Sequence, residues 1–285
     1  MMNQLEPLQV GVMFWTGGDL GVEGTPFEII QMVKGLGVDC GQLGVHPEAV
    51  LTSAAMEAWS LALEKLSFTI TAVFPAFRGE SYADIPSVQK TVGFVPPATR
   101  EEREERTYEC SDFAKALRIA EVATHIGFVP EDRDHPDYLA VGDMVRRVCD
   151  HCRRNGQTFG LETGQESATA LGNFIRDVDR ANLGINFDPA NMILYGSGEP
   201  LEALDMVKEW VISVHCKDAL WPKQTGIWGT EVLLGQGDVG MDRYVAKLKA
   251  LGYRGPLSIE REITGEKQLA DMREAIALLK RLRRR

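Results

Sequence analysis

Long apolar runs are absent from this chain of 285 residues, and no stretch approaches the roughly 18 consecutive apolar residues of a membrane span. The first residues, 1–7, lack a positively charged start followed by an apolar stretch, so we expect no secretory signal. Cysteine is also scarce, with five residues scattered along the sequence. This odd number predicts free thiols in a reducing compartment, and we therefore expect a cytoplasmic protein.

Positive charge is in short supply as well. The chain has 41 acidic and 31 basic residues, which gives a formal net charge of -10. This net charge disfavours binding to the phosphate backbone of a nucleic acid, because such binding relies on clustered lysine and arginine. One basic run, at 280–285, ends a helical pattern, where cations interact favourably with the helix dipole. We interpret that run as a solvated helix end and expect no nucleic-acid partner.

Short apolar runs alternate with helical patterns eight times along the chain. The runs are Val10–Phe14, Cys40–Val45, Phe68–Phe74, Val122–Val129, Thr158–Glu162, Leu183–Asp188, Val211–His215 and Pro256–Glu260. Each run is typical of a strand covered on both faces. Between them lie helix signals such as Thr25-Pro26-Phe27-Glu28, which combines an N-cap, a first-turn proline and a capping glutamate.

Eight strand–helix units of this length predict an α/β fold with a single domain over residues 1–285, a (β/α)8 TIM barrel. Two smaller domains or a doubly wound open sheet are the alternatives. The open sheet is disfavoured because no Gly-x-Gly-x-x-Gly follows the first strand, and the nearest run, at 16–21, does not lead directly into a helix. Two long connections, 75–100 and 218–238, follow strands and are predicted to lie over the barrel mouth, as lids or as ordinary loops.

Four consecutive predicted strands each end in one ionisable residue: Glu162, Asp188, His215 and Glu260. An ionisable group at the end of an apolar strand is unfavourable unless something compensates it. All four lie at the face where barrel active sites form, so they are expected to converge. A divalent cation would relieve the repulsion between three carboxylates, and we therefore predict a metal site. Three carboxylates and one imidazole favour Mn²⁺ or Mg²⁺, with Co²⁺ and Zn²⁺ as alternatives.

These segments resemble the xylose isomerase-like TIM-barrel superfamily, in particular its sugar phosphate isomerase/epimerase branch. The similar segments are Leu161-Glu162-Thr163, Phe187-Asp188-Pro189-Ala190-Asn191, Val214-His215-Cys216-Lys217-Asp218, Gly235-Gln236-Gly237-Asp238-Val239 and Ser258-Ile259-Glu260. The resemblance implies that these four strand-end residues hold one divalent metal. It also implies that Glu162 and Glu260 flank the substrate and act as acid and base.

Two departures from the family limit the assignment. Ketose 3-epimerases usually place a substrate-binding histidine three residues after the strand-six aspartate, and here that position is Asn191. A standard ketohexose 3-epimerase activity is therefore not expected. The endonuclease branch, related to endonuclease IV, needs further histidines, whereas this chain has five in total. Together with the acidic net charge, this disfavours a nuclease.

Other residues are weaker candidates for contact with substrate. Lys217 lies two residues beyond His215, so it either reaches a substrate oxygen or pairs with Asp218 or an acidic loop. Glu166 is expected either to bind a hydroxyl or, preferably, to cap a helix over 167–178. His125 faces the barrel mouth or, as we favour, the core. Trp15 either lines the site or fills the core. Asn191 is the last of these candidates for contact with substrate.

The function we predict is a metal-dependent isomerase or epimerase of a small sugar-like hydroxy-carbonyl compound, acting in carbohydrate metabolism. The metal would stabilise an enediolate formed by loss of a neighbouring proton, with Glu162 and Glu260 as acid and base. Asp188 and His215 would only hold the metal. A dehydratase of a keto-inositol or similar polyol is the alternative, because it begins with the same proton abstraction. A non-catalytic sugar-binding barrel is a third possibility, and family resemblance allows a homo-oligomer.

Overall fold

The computed structural model describes residues 5–17, 24–224 and 226–285. Its strands are β1 (Val10–Trp15), β2 (Cys40–Val45), β3 (Thr69–Pro75), β4 (Glu121–Thr124), β5 (Thr158–Glu162), β6 (Leu183–Phe187), β7 (Val211–Cys216), β8 (Asp218–Leu220), β9 (Thr230–Val232) and β10 (Leu257–Ile259). Eight of them form a closed parallel barrel in the order β1, β10, β7, β6, β5, β4, β3, β2. Strands β8 and β9 form a separate antiparallel pair. The predicted TIM barrel is therefore confirmed.

The helices lie between the strands. They are α1 (Pro26–Gly35), α2 (Ser53–Leu66), α3 (Ile85–Thr91), α4 (Arg100–Ala116), α5 (Pro136–Arg154), α6 (Ala168–Val178), α7 (Pro189–Tyr195), α8 (Pro200–Val207), α9 (Met241–Ala250) and α10 (Glu266–Leu282). Among the described helices, none has the length and apolar character that crossing a membrane requires. Buried apolar side chains of strands and helices form one large core, so the barrel is a packed scaffold.

The predicted start of α1 is confirmed. Thr25 adopts an extended conformation and caps the helix, and the Glu28 carboxylate accepts from the Thr25 amide at 2.8 Å. The α6 region differs in detail from the prediction, because Ser167 rather than Glu166 caps the helix through the Ala170 amide. Glu166 is therefore not the capping carboxylate of α6.

The fourth strand is shorter than predicted. The sequence predicted a strand over Val122–Val129, but β4 ends at Thr124. Gly127 has a φ of +84°, and a Cβ there would lie 2.3 Å from the carbonyl oxygen of Val92. The Phe94 amide donates to the Ile126 carbonyl at 2.8 Å, outside the barrel ladder. The chain therefore turns after Thr124, and His125 leaves the strand. The glycine-rich run at 16–21 lies largely outside the described residues.

A column of polar side chains runs through the barrel interior. Ser213 donates to Glu121 at the start of β4 and contacts Asn186 Oδ1 at 2.7 Å. Gln42 Nε2 donates to the same Asn186 oxygen at 3.2 Å. These contacts connect the bottom of the barrel to β2, and they were not predicted from the sequence. Polar atoms in a packed interior need such partners.

We predict that Glu121→Gln stabilises the protein at alkaline pH. Burial raises the pKa of Glu121 to about 7, although the hydrogen bond from Ser213 opposes this shift. Because the folded-state pKa lies above the ordinary value of 4.5, stability falls as the pH rises between those two values. The free energy of unfolding of the variant should exceed that of the wild type by about 1–3 kcal/mol at pH 8, and the two should be equal at pH 4. Urea denaturation at both pH values measures this, and equal stabilities at pH 8 would show that Glu121 ionises freely.

Candidate metal centre

Glu162, Asp188, His215 and Glu260 meet at the carboxyl ends of β5, β6, β7 and β10. One ligand atom from each lies within 4.8 Å of the others. The Nδ1 atom of His215 lies 3.0 Å from Glu162 Oε1 and 3.4 Å from both Asp188 Oδ2 and Glu260 Oε2. The predicted convergence of the four strand ends is thus present in the structure.

Local backbone structure orients Asp188 toward the cluster. Asp188 caps helix α7, and its Oδ1 accepts from the amides of Ala190 at 2.8 Å and Asn191 at 3.0 Å. Its Oδ2 is buried and accepts no hydrogen bond in the described part of the chain, although His215 Nδ1 lies 3.4 Å away. A buried carboxylate oxygen without a partner is costly, and a cation would satisfy it. This orphaned atom and the three-carboxylate, one-imidazole donor set fit a divalent metal.

The carboxylates of the cluster shift the pKa values of their neighbours. Burial raises the pKa of Glu162, and the nearby Glu260 raises it further. Burial alone would lower the pKa of His215, but the charges of Glu260 and Glu162 raise it well above its ordinary value. The carboxylates around His215 therefore favour a positive charge at this point, which a bound divalent cation would supply.

Lys217 supplies a second compensating charge. Its side chain is fully buried, and its Nζ lies 3.0 Å from Glu260 and from Glu262, and 3.1 Å from Asn191 Oδ1. Burial alone would lower the pKa of Lys217, but Glu260 and Glu262 raise it well above its usual value. The same lysine, with His215, lowers the pKa of Glu260 below its usual range against the effect of burial.

Of the two pairings expected for Lys217, the one with an acidic loop is present, whereas Asp218 has other partners. Asp218 instead accepts from the backbone amides of Gly235, Gly237 and Val239, and so holds the connection between β9 and α9. The acidic partner from a loop is Glu262, which the sequence analysis missed. Its signal was the two-residue spacing from Glu260, but β10 ends at Ile259, so strand periodicity did not apply.

His215 is oriented from its other ring nitrogen. Nε2 lies 2.8 Å from Oε1 of Gln42, which places the Nε2 proton toward Gln42 and leaves Nδ1 for the cluster. Gln42 is 1% exposed and lies on β2, 173 positions away from His215 in the chain. Through Asn186 it belongs to the polar column in the barrel interior. No short-range motif indicates such a contact, so the sequence analysis did not find it.

We predict that Gln42→Leu weakens divalent metal binding by about 10- to 100-fold, because His215 loses the acceptor that fixes its tautomer and orientation. Calorimetric titration of the metal-stripped protein measures the change. Gln157→Leu is the matched control, since Gln157 is also buried but bonds Ser111 and Ile119 far from the cluster. Equal losses of affinity in both variants would indicate general destabilisation instead.

A cavity of about 450 Å³ opens above the cluster. Glu162 and Glu260 line it, whereas Asp188 and His215 are fully buried behind its wall. Of the weaker candidates, Trp15, His125 and Asn191 line the same cavity. Asn191 Nδ2 also contacts Glu162 Oε1 at 3.3 Å, so it bridges Glu162 and Lys217. Glu166 lies in the wall of a neighbouring cavity that Glu162 also borders.

Both long connections reach this cavity. Glu80 and Tyr82 come from the connection after β3, and Trp228 comes from the connection between β8 and β9. Tyr195 at the end of α7 and Glu262 after β10 also line the cavity, and neither was predicted from the sequence. Loops have no periodic pattern, and only the folded barrel brings their residues to one wall.

Comparison with known proteins identifies the family. The model of the family described as xylose isomerase-like TIM barrel matches residues 30–282. The chain therefore belongs to the xylose isomerase-like TIM barrel family. An uncharacterized protein of Methanocaldococcus jannaschii is 27% identical over 184 residues, which are 58% of this chain. The match covers 60% of the length of that relative and 44% of the length of a second curated relative.

Solved structures share the fold. A xylose isomerase domain protein from Planctomyces limnophilus is 43% identical, with a TM-score of 0.92 and 98% of both chains covered. A xylose isomerase-like TIM barrel protein from Mycobacterium smegmatis in complex with magnesium is 19% identical, with a TM-score of 0.72 and 96% of both chains covered. The 3-keto-D-glucoside 4-epimerase of E. coli is 14% identical, with a TM-score of 0.72 and coverage of 96% of this chain and 99% of that one. At these last two identities the likeness shows the fold alone.

Proposed function

We propose that this chain is a divalent-metal-dependent isomerase or epimerase of a small sugar-like hydroxy-carbonyl compound. One observation carries the proposal: Glu162 and Glu260 belong to the four-residue cluster and also line the cavity above it. Both glutamates can therefore touch a metal and a substrate. Asp188 and His215 are fully buried, so their role is restricted to holding the metal. The magnesium complex of one neighbour and the epimerase activity in the name of another are consistent with this proposal.

The residues divide the reaction between them. A bound divalent cation, Mn²⁺ or Mg²⁺ by the donor set, would polarise a carbonyl and offset the negative charge that develops beside it. One glutamate takes the proton from the carbon next to the carbonyl, and the other returns a proton. Return to the opposite face of the same carbon inverts it, whereas return to the former carbonyl carbon relocates the carbonyl. Inversion breaks and re-forms only the C–H bond, whereas relocation also transfers the proton of the neighbouring hydroxyl to the former carbonyl oxygen. In both cases the proton count is unchanged.

The neighbours of the two glutamates give them different environments. Asn191 donates to Glu162, which also lies 3.0 Å from His215 Nδ1, whereas Lys217 pairs directly with Glu260. Groups with environments this different suit opposite roles in proton transfer. Phe74 stacks on His215 with ring centroids 5.4 Å apart and lines the cavity, so it shields the imidazole from the substrate side.

Exchange with solvent deuterium tests the proposal. The chain loaded with Mn²⁺ is incubated in D2O with a panel of ketoses, keto-inositols and small hydroxy-keto acids, and products are followed by NMR and mass spectrometry. Incorporation of deuterium next to the carbonyl without loss of water is the expected result. Incorporation together with loss of water would indicate the dehydratase instead. Failure of every compound to exchange, in a chain that binds Mn²⁺, would contradict the proposed function.

A further inference from the structure

The cavity wall has a pronounced charge asymmetry. Four glutamates line it: Glu80, Glu162, Glu260 and Glu262. Within the described part of the chain, none of its lining residues is lysine or arginine. Residues 1–4, 18–23 and 225, which lie outside that part, contain no lysine, arginine or histidine in the sequence. An anionic group entering the cavity would therefore meet carboxylates without a cationic side chain on the wall.

Two cationic side chains lie behind the wall, and both are already engaged. Lys217 is fully buried among Glu260, Glu262 and Asn191. Arg103 is 2% exposed and donates to the carbonyls of Gly93, Thr91 and Arg78. Each would have to abandon buried partners before it could bind a phosphate or carboxylate.

The charge balance disfavours an anion even with a metal bound. Near the cluster, Glu162, Asp188, Glu260 and Glu262 face Lys217 and one divalent cation. With all four carboxylates ionised, four negative charges stand against three positive ones. Repulsion between like charges is strongest in a partly enclosed site, where water screens poorly. A sugar phosphate or sugar acid would add to the excess, whereas an uncharged sugar would not.

One side of the cavity is aromatic. Tyr82, His125, Tyr195 and Trp228 form a continuous row of rings, which we call the aromatic wall, with centroids 6.1, 6.3 and 4.7 Å apart in that order. Burial lowers the pKa of His125 to about 3, so its ring is neutral. Its Nδ1 is bonded to Gln165, while Nε2 has no partner within the described residues. The aromatic wall thus offers apolar faces and an uncharged hydrogen-bonding group.

From these observations we infer that the substrate is an uncharged sugar, rather than a phosphorylated or carboxylated one, and that His125 and the aromatic wall bind it. That the bound sugar is a substrate rests on the proposed function. The preference for an uncharged sugar concerns binding and does not require turnover. The C–H face of the sugar packs on the rings, and His125 Nε2 bonds a hydroxyl oxygen. Glu80 and Glu262 line the same cavity outside the four-residue cluster and accept from hydroxyl groups of the sugar.

Matched ligand pairs test the inference. The full chain, held at one free concentration of Mg²⁺, is titrated calorimetrically with D-fructose against D-fructose 6-phosphate and with D-glucose against D-glucuronate. We expect the uncharged member of each pair to bind about tenfold or more tightly. Tighter binding of the anionic members, or binding of neither member at 100 mM, would overturn the inference. Preferential binding of the uncharged members without deuterium exchange would contradict the proposed function alone.

Two variants assign the preference to residues. Glu262→Gln should lower the ratio of affinities between the uncharged and the anionic member of each pair by about threefold or more, because it removes one repelling charge. Glu274→Gln, on the exposed face of α10, is the charge-matched control and should leave discrimination unchanged. His125→Phe keeps the aromatic wall but should weaken binding of the uncharged members by roughly three- to tenfold. Unchanged discrimination in Glu262→Gln together with unchanged affinity in His125→Phe would contradict the assignment.

Discussion

Glu162→Gln and Glu260→Gln are each expected to lower kcat by about 100- to 10,000-fold, the usual range for loss of a general acid or base. Glutamine keeps the size and one coordinating oxygen of the side chain, but it cannot accept or release the proton. Because both glutamates also belong to the metal cluster, activity must be compared at saturating metal, with the bound metal measured in each variant.

The measurement is deuterium exchange and product formation with the best compound of the substrate panel. Glu48→Gln is the control, since Glu48 is exposed, pairs with Arg78 on the surface and does not line the cavity above the cluster. That variant should retain wild-type turnover. Full turnover in either Glu162→Gln or Glu260→Gln with metal bound would remove that residue from the proposed mechanism.

Lys217→Met is expected to lower the free energy of unfolding of the metal-free protein by about 3–5 kcal/mol, as when one partner of a buried ion pair is removed. The methionine side chain fills similar space, but Glu260 and Glu262 lose the cation 3.0 Å away and Asn191 loses its donor. Carboxylates would then crowd together with only His215 to offset them. Because a bound divalent cation supplies part of the missing charge, saturating Mn²⁺ should reduce the difference between variant and wild type.

Urea denaturation with and without Mn²⁺ measures both effects. Lys34→Met is the matched control, because Lys34 forms a surface ion pair with Asp39 at 2.6 Å and such pairs contribute about 0–1 kcal/mol. If Lys217→Met destabilised the metal-free protein no more than Lys34→Met does, Lys217 would not be the counter-charge of the cluster.

The four residues of the metal cluster were predictable from the sequence, whereas the side chains that position them were not. Glu162, Asp188, His215 and Glu260 each follow an apolar run, and parallel strands bring their carboxyl ends to one face. The two-residue period also predicted that Lys217 shares the side of His215. Sequence patterns do not indicate partners that are distant in the chain. Gln42 contacts His215 across the barrel, and nothing near either residue in the sequence indicates that pairing.

The cavity wall was predicted only in outline. Trp15 was named as a candidate because it ends the first strand, and Asn191 because it occupies the position of a substrate-binding histidine in related epimerases. Both line the cavity. His125 was assigned preferentially to the core, because the apolar run around it predicted a strand through residue 129. The positive φ of Gly127 ends that run early, and the histidine borders the cavity while remaining 8% exposed. Backbone conformation at one glycine therefore changed the interpretation of a neighbouring side chain.

Binding of a divalent cation by the four strand-end residues tests the central claim most directly. Calorimetric titration of the metal-stripped chain with Mn²⁺ should give one site per chain, and Asp188→Asn and His215→Ala should each weaken that site by about 100-fold or more while melting cooperatively. Absence of binding in the wild type at millimolar Mn²⁺ and Mg²⁺ would contradict the account. So would unchanged affinity in both variants.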